Sequence, residues 1–172
     1  AEAIETATRH LLDLGHRKIA YLGGTDMTPV RKDRIAGYQR ALSESAIAEG
    51  IVWDSADNKL AGLEAMLELR SKYPEITAVV CNGDMVALGA CLALQREGLV
   101  PGKDVSVIGF DNIQDAAVAT PPLTTMGVAP HQLGRKLAQV LLDRIRAPDM
   151  PVTTTEVSAD LVARGTTGRL KK

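Results

Sequence analysis

Two stretches decide the fold: ITAVVCNGDMVALGA (76–90) and VSVIGFD (105–111), each an apolar strand running into a small polar loop. Apolar runs of about five residues without alternation suit parallel strands buried on both faces. Open α/β sheets bind their ligands just beyond the carboxyl ends of such strands. Asn82, Asp84 and Asp111 are therefore expected along one rim of the sheet.

Outward from these stretches the chain alternates helix and strand. Apolar periodicity predicts a helix to residue 14, then strand 18–22, helix 31–43, strand 51–54, helix 59–72, strand 77–81, helix 85–97 and strand 105–109. Gly15, Gly98 and Pro101 follow predicted helices, while Gly23, Gly24 and Gly83 follow predicted strands. Repeated βαβ units imply an α/β fold with a parallel, doubly wound sheet. After Asp111 the alternation falters. A loop with Pro121 and Pro122 leads to a short LTTM run (123–126), a helix over 131–146 with an apolar stripe at Leu133, Leu137, Val140, Leu141 and Ile145, and two extended runs, 152–157 and 161–163. The charged residues 169–172 read as a frayed tail or linker.

The chain has 172 residues, 45% hydrophobic, with a formal net charge of -1. That composition supports a real core and supplies no basic field to hold nucleic-acid phosphates. Cys81 and Cys91 fall in an apolar strand and a helix, with no histidine at ligand spacing, and read as reduced, buried thiols suited to the cytoplasm. No apolar run reaches the roughly 18 residues of a membrane span. Ile4, Leu11, Leu12 and Leu14 open the chain on a helical face with no preceding strand to cover, which suggests a piece of a larger protein.

No catalytic, metal or cofactor set assembles from the remaining polar residues. His10 and His131 have no partner at metal or triad spacing, and His16 is expected to cap the first helix or lie at the surface. No serine sits in a G-x-S-x-G elbow. The GGTD turn (23–26) lacks both the dinucleotide fingerprint and the P-loop lysine. Asp84, one residue before the helix predicted from Met85, is expected to cap that helix through its own backbone amides.

Five segments in order, GHRKIAYLGG (15–24), RIAGYQRAL (34–42), AVVCNGDMVALGA (78–90), VSVIGFDN (105–112) and PPLTT (121–125), resemble the signatures of the LacI/GalR family of bacterial transcription repressors. The resemblance implies the C-terminal part of an effector-binding core similar in fold to type I periplasmic sugar-binding proteins. Residues 1–122 would form the C-terminal lobe, 123–148 a crossover segment of the N-terminal lobe, and 149–172 the return and tail. The segment from Thr125 to Arg146 is accordingly expected outside the sheet, with its apolar stripe uncovered.

The same resemblance implies a small-molecule effector, operator DNA bound through a headpiece absent from this chain, a homodimer, and no enzymatic activity. Arg34 matches the arginine of the R-x-x-G-[YFW] motif, and a guanidinium can clamp vicinal hydroxyls or a carboxylate. Asp111 matches the effector-accepting aspartate of GFD, and Asn82 and Gly83 would line the cleft. Gly83 stands where many relatives have asparagine, and Asp57 falls where relatives often place a stacking aromatic. Trp53, four residues earlier, is the alternative occupant of that place or a core residue. The small residues of helix 85–97 (Ala87, Gly89, Ala90, Ala93) would serve close packing, either on the chain itself or, with residues 114–118, in the dimer. A periplasmic sugar-binding or chemoreceptor protein shares this fold, as do doubly wound enzymes.

Overall fold

The computed structural model describes residues 1–24, 28–47, 50–152, 154 and 157–170. Among them the chain runs α1 (Glu2–Asp13), β1 (Ile19–Leu22), α2 (Pro29–Glu44), β2 (Ile51–Trp53), α3 (Lys59–Lys72), β3 (Ala78–Cys81), α4 (Asp84–Arg96), β4 (Ser106–Phe110), α5 (Gln114–Val118), β5 (Thr124–Gly127), α6 (Pro130–Arg146) and β6 (Asp160–Val162). The strands form one sheet in the order β2-β1-β3-β4-β5-β6. All neighbours are parallel except the antiparallel pair β5 and β6. The strand order reverses direction between β1 and β3, and crossovers leave opposite faces there, opening a crevice at the carboxyl ends.

Two cores cover the two faces. On one, Leu63, Met66 and Leu69 of α3 and Val86, Ala90 and Leu94 of α4 pack with Leu22, Val79 and Val107 of the sheet. On the other, Ile4, Leu11 and Leu12 of α1 and Tyr38 and Leu42 of α2 pack with Tyr21, Val80, Ile108 and Met126. The apolar face of α1 thus rests on strands that follow it in sequence. Alternate residues of β1, β3 and β4 serve opposite cores, which explains why these strands read as continuous apolar runs.

The small residues of α4 have an internal explanation. A Cβ on Gly89 would lie 2.2 Å from the Lys59 carbonyl oxygen, and one on Gly62 would lie 2.5 Å from that of Val86. Glycine at both positions lets α3 and α4 meet backbone to backbone, and Ala87, Ala90 and Ala93 are buried beside them.

Three expectations are corrected. The segment from Thr124 to Gly127 stays in the sheet, paired with β4 through Ile108–Thr124, Gly109–Thr125 and Phe110–Met126, so the chain leaves the sheet only after Gly127. Its threonines tolerate burial because their hydroxyls bond Thr167, the Arg164 amide and Asp84. Residues 114–118, read as loop, form the short helix α5. The terminal segment is not frayed through Leu170, since the Thr166 hydroxyl donates to the Val107 carbonyl at 2.7 Å and the Leu170 amide to that of Leu14 at 3.0 Å. Residues 171 and 172 lie outside the described residues, as do 25–26 of the GGTD turn and 153, 155 and 156 of the expected run 152–157. The run 161–163 corresponds to β6.

The expected bareness of the late helix is observed. No residue of α6 is buried, and Leu137, Leu141 and Ile145 are 60%, 60% and 64% exposed. Its apolar stripe belongs to neither core of this sheet.

Candidate functional site

The crevice at the carboxyl ends of β1, β3 and β4 gathers most of the predicted site. Arg34 reaches it from α2, whose first turn starts at Pro29, a residue well suited to that position because its fixed φ fits and its missing N–H would be unpaired there. The Arg34 Nη1 donates to the Asn82 carbonyl at 2.5 Å, and the guanidinium lies 4.3 Å from the centroid of the Phe110 ring. Carbonyl and ring together hold the guanidinium at the mouth of the crevice.

Gly83 forms the floor. A Cβ built on it would sit 3.1 Å from Asp57 Oδ1 and 3.6 Å from Asp111 Oδ2, so both carboxylates border the space that the missing side chain leaves open. Asn82 is buried with its Oδ1 unpartnered and its side chain against Gly23, whose own Cβ would collide with it at 2.5 Å. Asp111 has φ 107° and Asn112 φ 53°, two successive non-glycine residues in a region that side chains disfavour. Partial burial pushes the Asp111 carboxyl above the ordinary carboxylate range although the residue keeps solvent contact, Arg34 pulls it down, and the negative charges of Asp84 and Asp57 push it up.

Arg34, Asn82, Gly83, Asp57 and Asp111 are thus brought together, and Trp53 is committed elsewhere. Its ring meets Tyr73 edge-on at 6.1 Å, with the Lys72 ammonium 5.2 Å from its centroid, at the end of α3. Phe110 was not singled out from the sequence, because a cation–π contact with a residue on a distant helix leaves no local pattern. An open groove of 630 Å³ adjoins the site, lined by Arg34, Asp33, Phe110, Val128 and the start of α1. A second groove, of 550 Å³, lies away from it between α4 and α5, lined by Leu88, Leu92, Gln95, Asp115, Val118 and Pro121.

Two side chains depart from expectation. Asp84 lies within α4, whose N-cap is Gly83, and makes no capping bond; its fully buried carboxylate accepts instead from the Thr125 hydroxyl at 2.6 Å and the Ile113 amide at 2.8 Å. His16 caps α1 through its backbone amide, which donates to the Leu11 carbonyl at 3.1 Å, but its ring does not cap the helix and is not at the surface. Arg17 bonds the Leu12 carbonyl at the end of α1, while His16 is buried, with Nδ1 3.0 Å from the Thr77 hydroxyl and Nε2 3.0 Å from the Gly168 carbonyl. Burial lowers the His16 pKa, and its bond to Gly168 partly offsets this. Cys81 and Cys91 are free and buried. Among the described residues no group of three or more His, Cys, Asp or Glu could hold a metal ion, and no helix is long and apolar enough to cross a membrane.

This arrangement coincides with a family match. A model of periplasmic binding protein-like domains fits residues 8–167. The chain belongs to that family, in its LacI-type branch. The LacI-type domain is 36% identical over 172 residues to the HTH-type transcriptional repressor PurR of Vibrio campbellii, covering 95% of this chain and 50% of the relative. It is 35% identical to the ribose operon repressor of Haemophilus influenzae, covering 96% and 50%. Among solved structures, a LacI family regulator from Enterococcus faecium with bound ribose superposes with a TM-score of 0.91 at 29% identity, over 99% of this chain and 65% of that one. The cellobiose complex of the regulator CelR gives a TM-score of 0.87 at 28% identity, over 96% and 52%. The LacI-type domain spans about half the length of the curated relatives it matches.

Proposed function

We propose that this domain is part of the effector-sensing core of a LacI-type transcriptional regulator, without enzymatic activity, and that it binds a small polar ligand, a sugar or sugar derivative. The observation that carries the reading is the meeting of Arg34, Asp57 and Asp111 around the floor at Gly83, in the crevice where the strand order reverses. A fixed guanidinium and two carboxylates provide donors and acceptors for neighbouring hydroxyls, as a polyol requires. Similarity to regulators with ribose and with cellobiose bound supports the same class.

The sheet through Gly127, with β6 returning to it, is the second lobe in this reading. Helix α6 belongs to a first lobe whose remaining elements lie outside these 172 residues, which accounts for its bare apolar stripe. Effector binding between the lobes favours one lobe arrangement, and a DNA-binding headpiece outside the chain reads that arrangement at the operator. Only differential affinity for the two arrangements can do this, and a full switch from 1:99 to 99:1 needs about 5.5 kcal/mol. Two such chains pair through the groove between α4 and α5, in keeping with the likeness to a dimeric lac repressor, at a TM-score of 0.87 and 28% identity. The setting is the cytoplasm, where Cys81 and Cys91 stay reduced.

A thermal-shift screen of the intact protein against neutral sugars, sugar phosphates and purines tests the ligand class. A ligand present at 100 times its dissociation constant stabilises by about 2.7 kcal/mol. Neutral sugars are expected to give the shifts; stabilisation by purines alone would reject the sugar reading.

A further inference from the structure

The turn after β4 carries Asp111 in a conformation the backbone does not favour, with φ 107° at Asp111 and φ 53° at Asn112. Such a turn persists only where its surroundings over-determine it. Here they do. The Asp111 amide donates to the Met126 carbonyl at 2.9 Å, the Asn112 amide to the Thr125 hydroxyl at 3.3 Å, and the Ile113 amide to the Asp84 carboxylate at 2.8 Å. Arg164 Nη2 donates to Asn112 Oδ1 at 2.7 Å, while its Nη1 holds the Leu123 carbonyl at 2.8 Å.

These restraints converge on the bond between Thr125 and Asp84, 2.6 Å long and fully buried at both ends. Asp84 reaches across through a gap cut for it: a Cβ on Gly109 would stand 2.2 Å from Asp84 Oδ1. A buried carboxylate is costly unless its oxygens are bonded, and both of these are. Burial pushes the Asp84 carboxyl above the ordinary carboxylate range, and the bonds from Thr125 and Ile113, with its place in the first turn of α4, pull the other way. Thr125 lies on β5, the strand from which the chain runs on to α6, and Arg164 follows β6, the strand that returns.

We infer that Asp84 is a positioning residue: through the Ile113 amide and the Thr125 hydroxyl it aims the Asp111 carboxylate and ties the ligand-bearing turn to the strand that leads out to α6. The inference rests on the assignment of Asp111 to the effector site. Its consequence is that ligand contact at Asp111 pulls on the passage between the lobes through a rigid, buried link.

The test uses the intact protein with Thr125→Val, which keeps the shape and loses the hydroxyl, and Thr125→Ser, which restores it. Asp84→Asn is a secondary variant, since a changed group at the buried start of α4 endangers the fold. Without ligand, hydrogen exchange at the Asn112 and Ile113 amides should speed up at least tenfold in Thr125→Val and return to normal in Thr125→Ser, with the Val107 amide unchanged in both. The affinity for the neutral sugar giving the largest thermal shift should fall at least tenfold in the valine variant and recover in the serine variant. Unchanged amide protection, or a lower melting temperature with unchanged sugar affinity, would overturn the inference. If Asp111→Ala itself binds the sugar normally, the site assignment fails instead, and the exchange data still decide whether the clamp exists.

Discussion

Replacing Leu137 or Leu141 by alanine separates what this chain can account for from what its surroundings supply. Each is 60% exposed, so only about two-fifths of the side chain is covered by the elements described here. Full burial of a leucine is worth about 1.5 to 3 kcal/mol, so local packing explains at most about 1 kcal/mol at either position. If a first lobe closes over α6 in the intact protein, each truncation leaves a cavity in a core and should cost about 2 to 5 kcal/mol. The two residues lie one turn apart and share neighbours, so single variants are compared, not their sum. Equilibrium urea unfolding of the intact protein gives the cost, with Leu94→Ala, fully buried in this chain, calibrating a closed core. A cost of about 1 kcal/mol or less at both positions, with Leu94→Ala at its expected 2 to 5, would refute the two-lobe account of α6.

Other outcomes follow from particular contacts. Gly89→Ala should destabilise by about 1 to 3 kcal/mol in urea unfolding despite the better helix propensity of alanine, because the new methyl meets the α3 backbone and not a side chain that can move. Leu92→Glu, at a 41% exposed position in the groove between α4 and α5, should yield monomers in sedimentation experiments while leaving the melting temperature of the monomer near that expected for a surface change. Since burial raises the Asp111 carboxyl, ligand affinity measured by calorimetry should begin to fall on acidification at a pH above the ordinary carboxylate value of about 4. The stability linkage has the opposite sense: with the folded value above the unfolded one, Asp111 favours the folded state at low pH, and that contribution is lost as pH rises through the window between the two values. Asp111→Asn should remove both effects.

The sheet was largely legible because strands buried on both faces leave unbroken apolar runs, as in AVVC and SVIGF, and because glycine marks the turns that end them. β5 was misplaced for the converse reason. Its buried threonines are satisfied by partners far along the chain, Asp84 and residues 164–167, and Pro121 and Pro122 just before it read as a crossing when they only close the loop after α5. Asp84 failed similarly: position beside a helix suggests a cap, while its bonds run to Thr125 and Ile113; the His16 amide does cap α1, but its ring runs to Thr77 and Gly168, which no local pattern connects to it. Arg34 and Asp111 were singled out through family motifs. Their convergence on Gly83 and the stacking of Arg34 on Phe110 required the fold.

Isothermal titration of the intact protein with the neutral sugar that stabilises it most, in wild type, Arg34→Ala and Asp111→Ala, tests the central claim most directly. Loss of one partner of a buried, charged hydrogen bond costs about 2 to 5 kcal/mol, so each variant should bind at least about 30-fold more weakly. Wild-type affinity in both would contradict the account and remove the crevice at Gly83 from ligand binding.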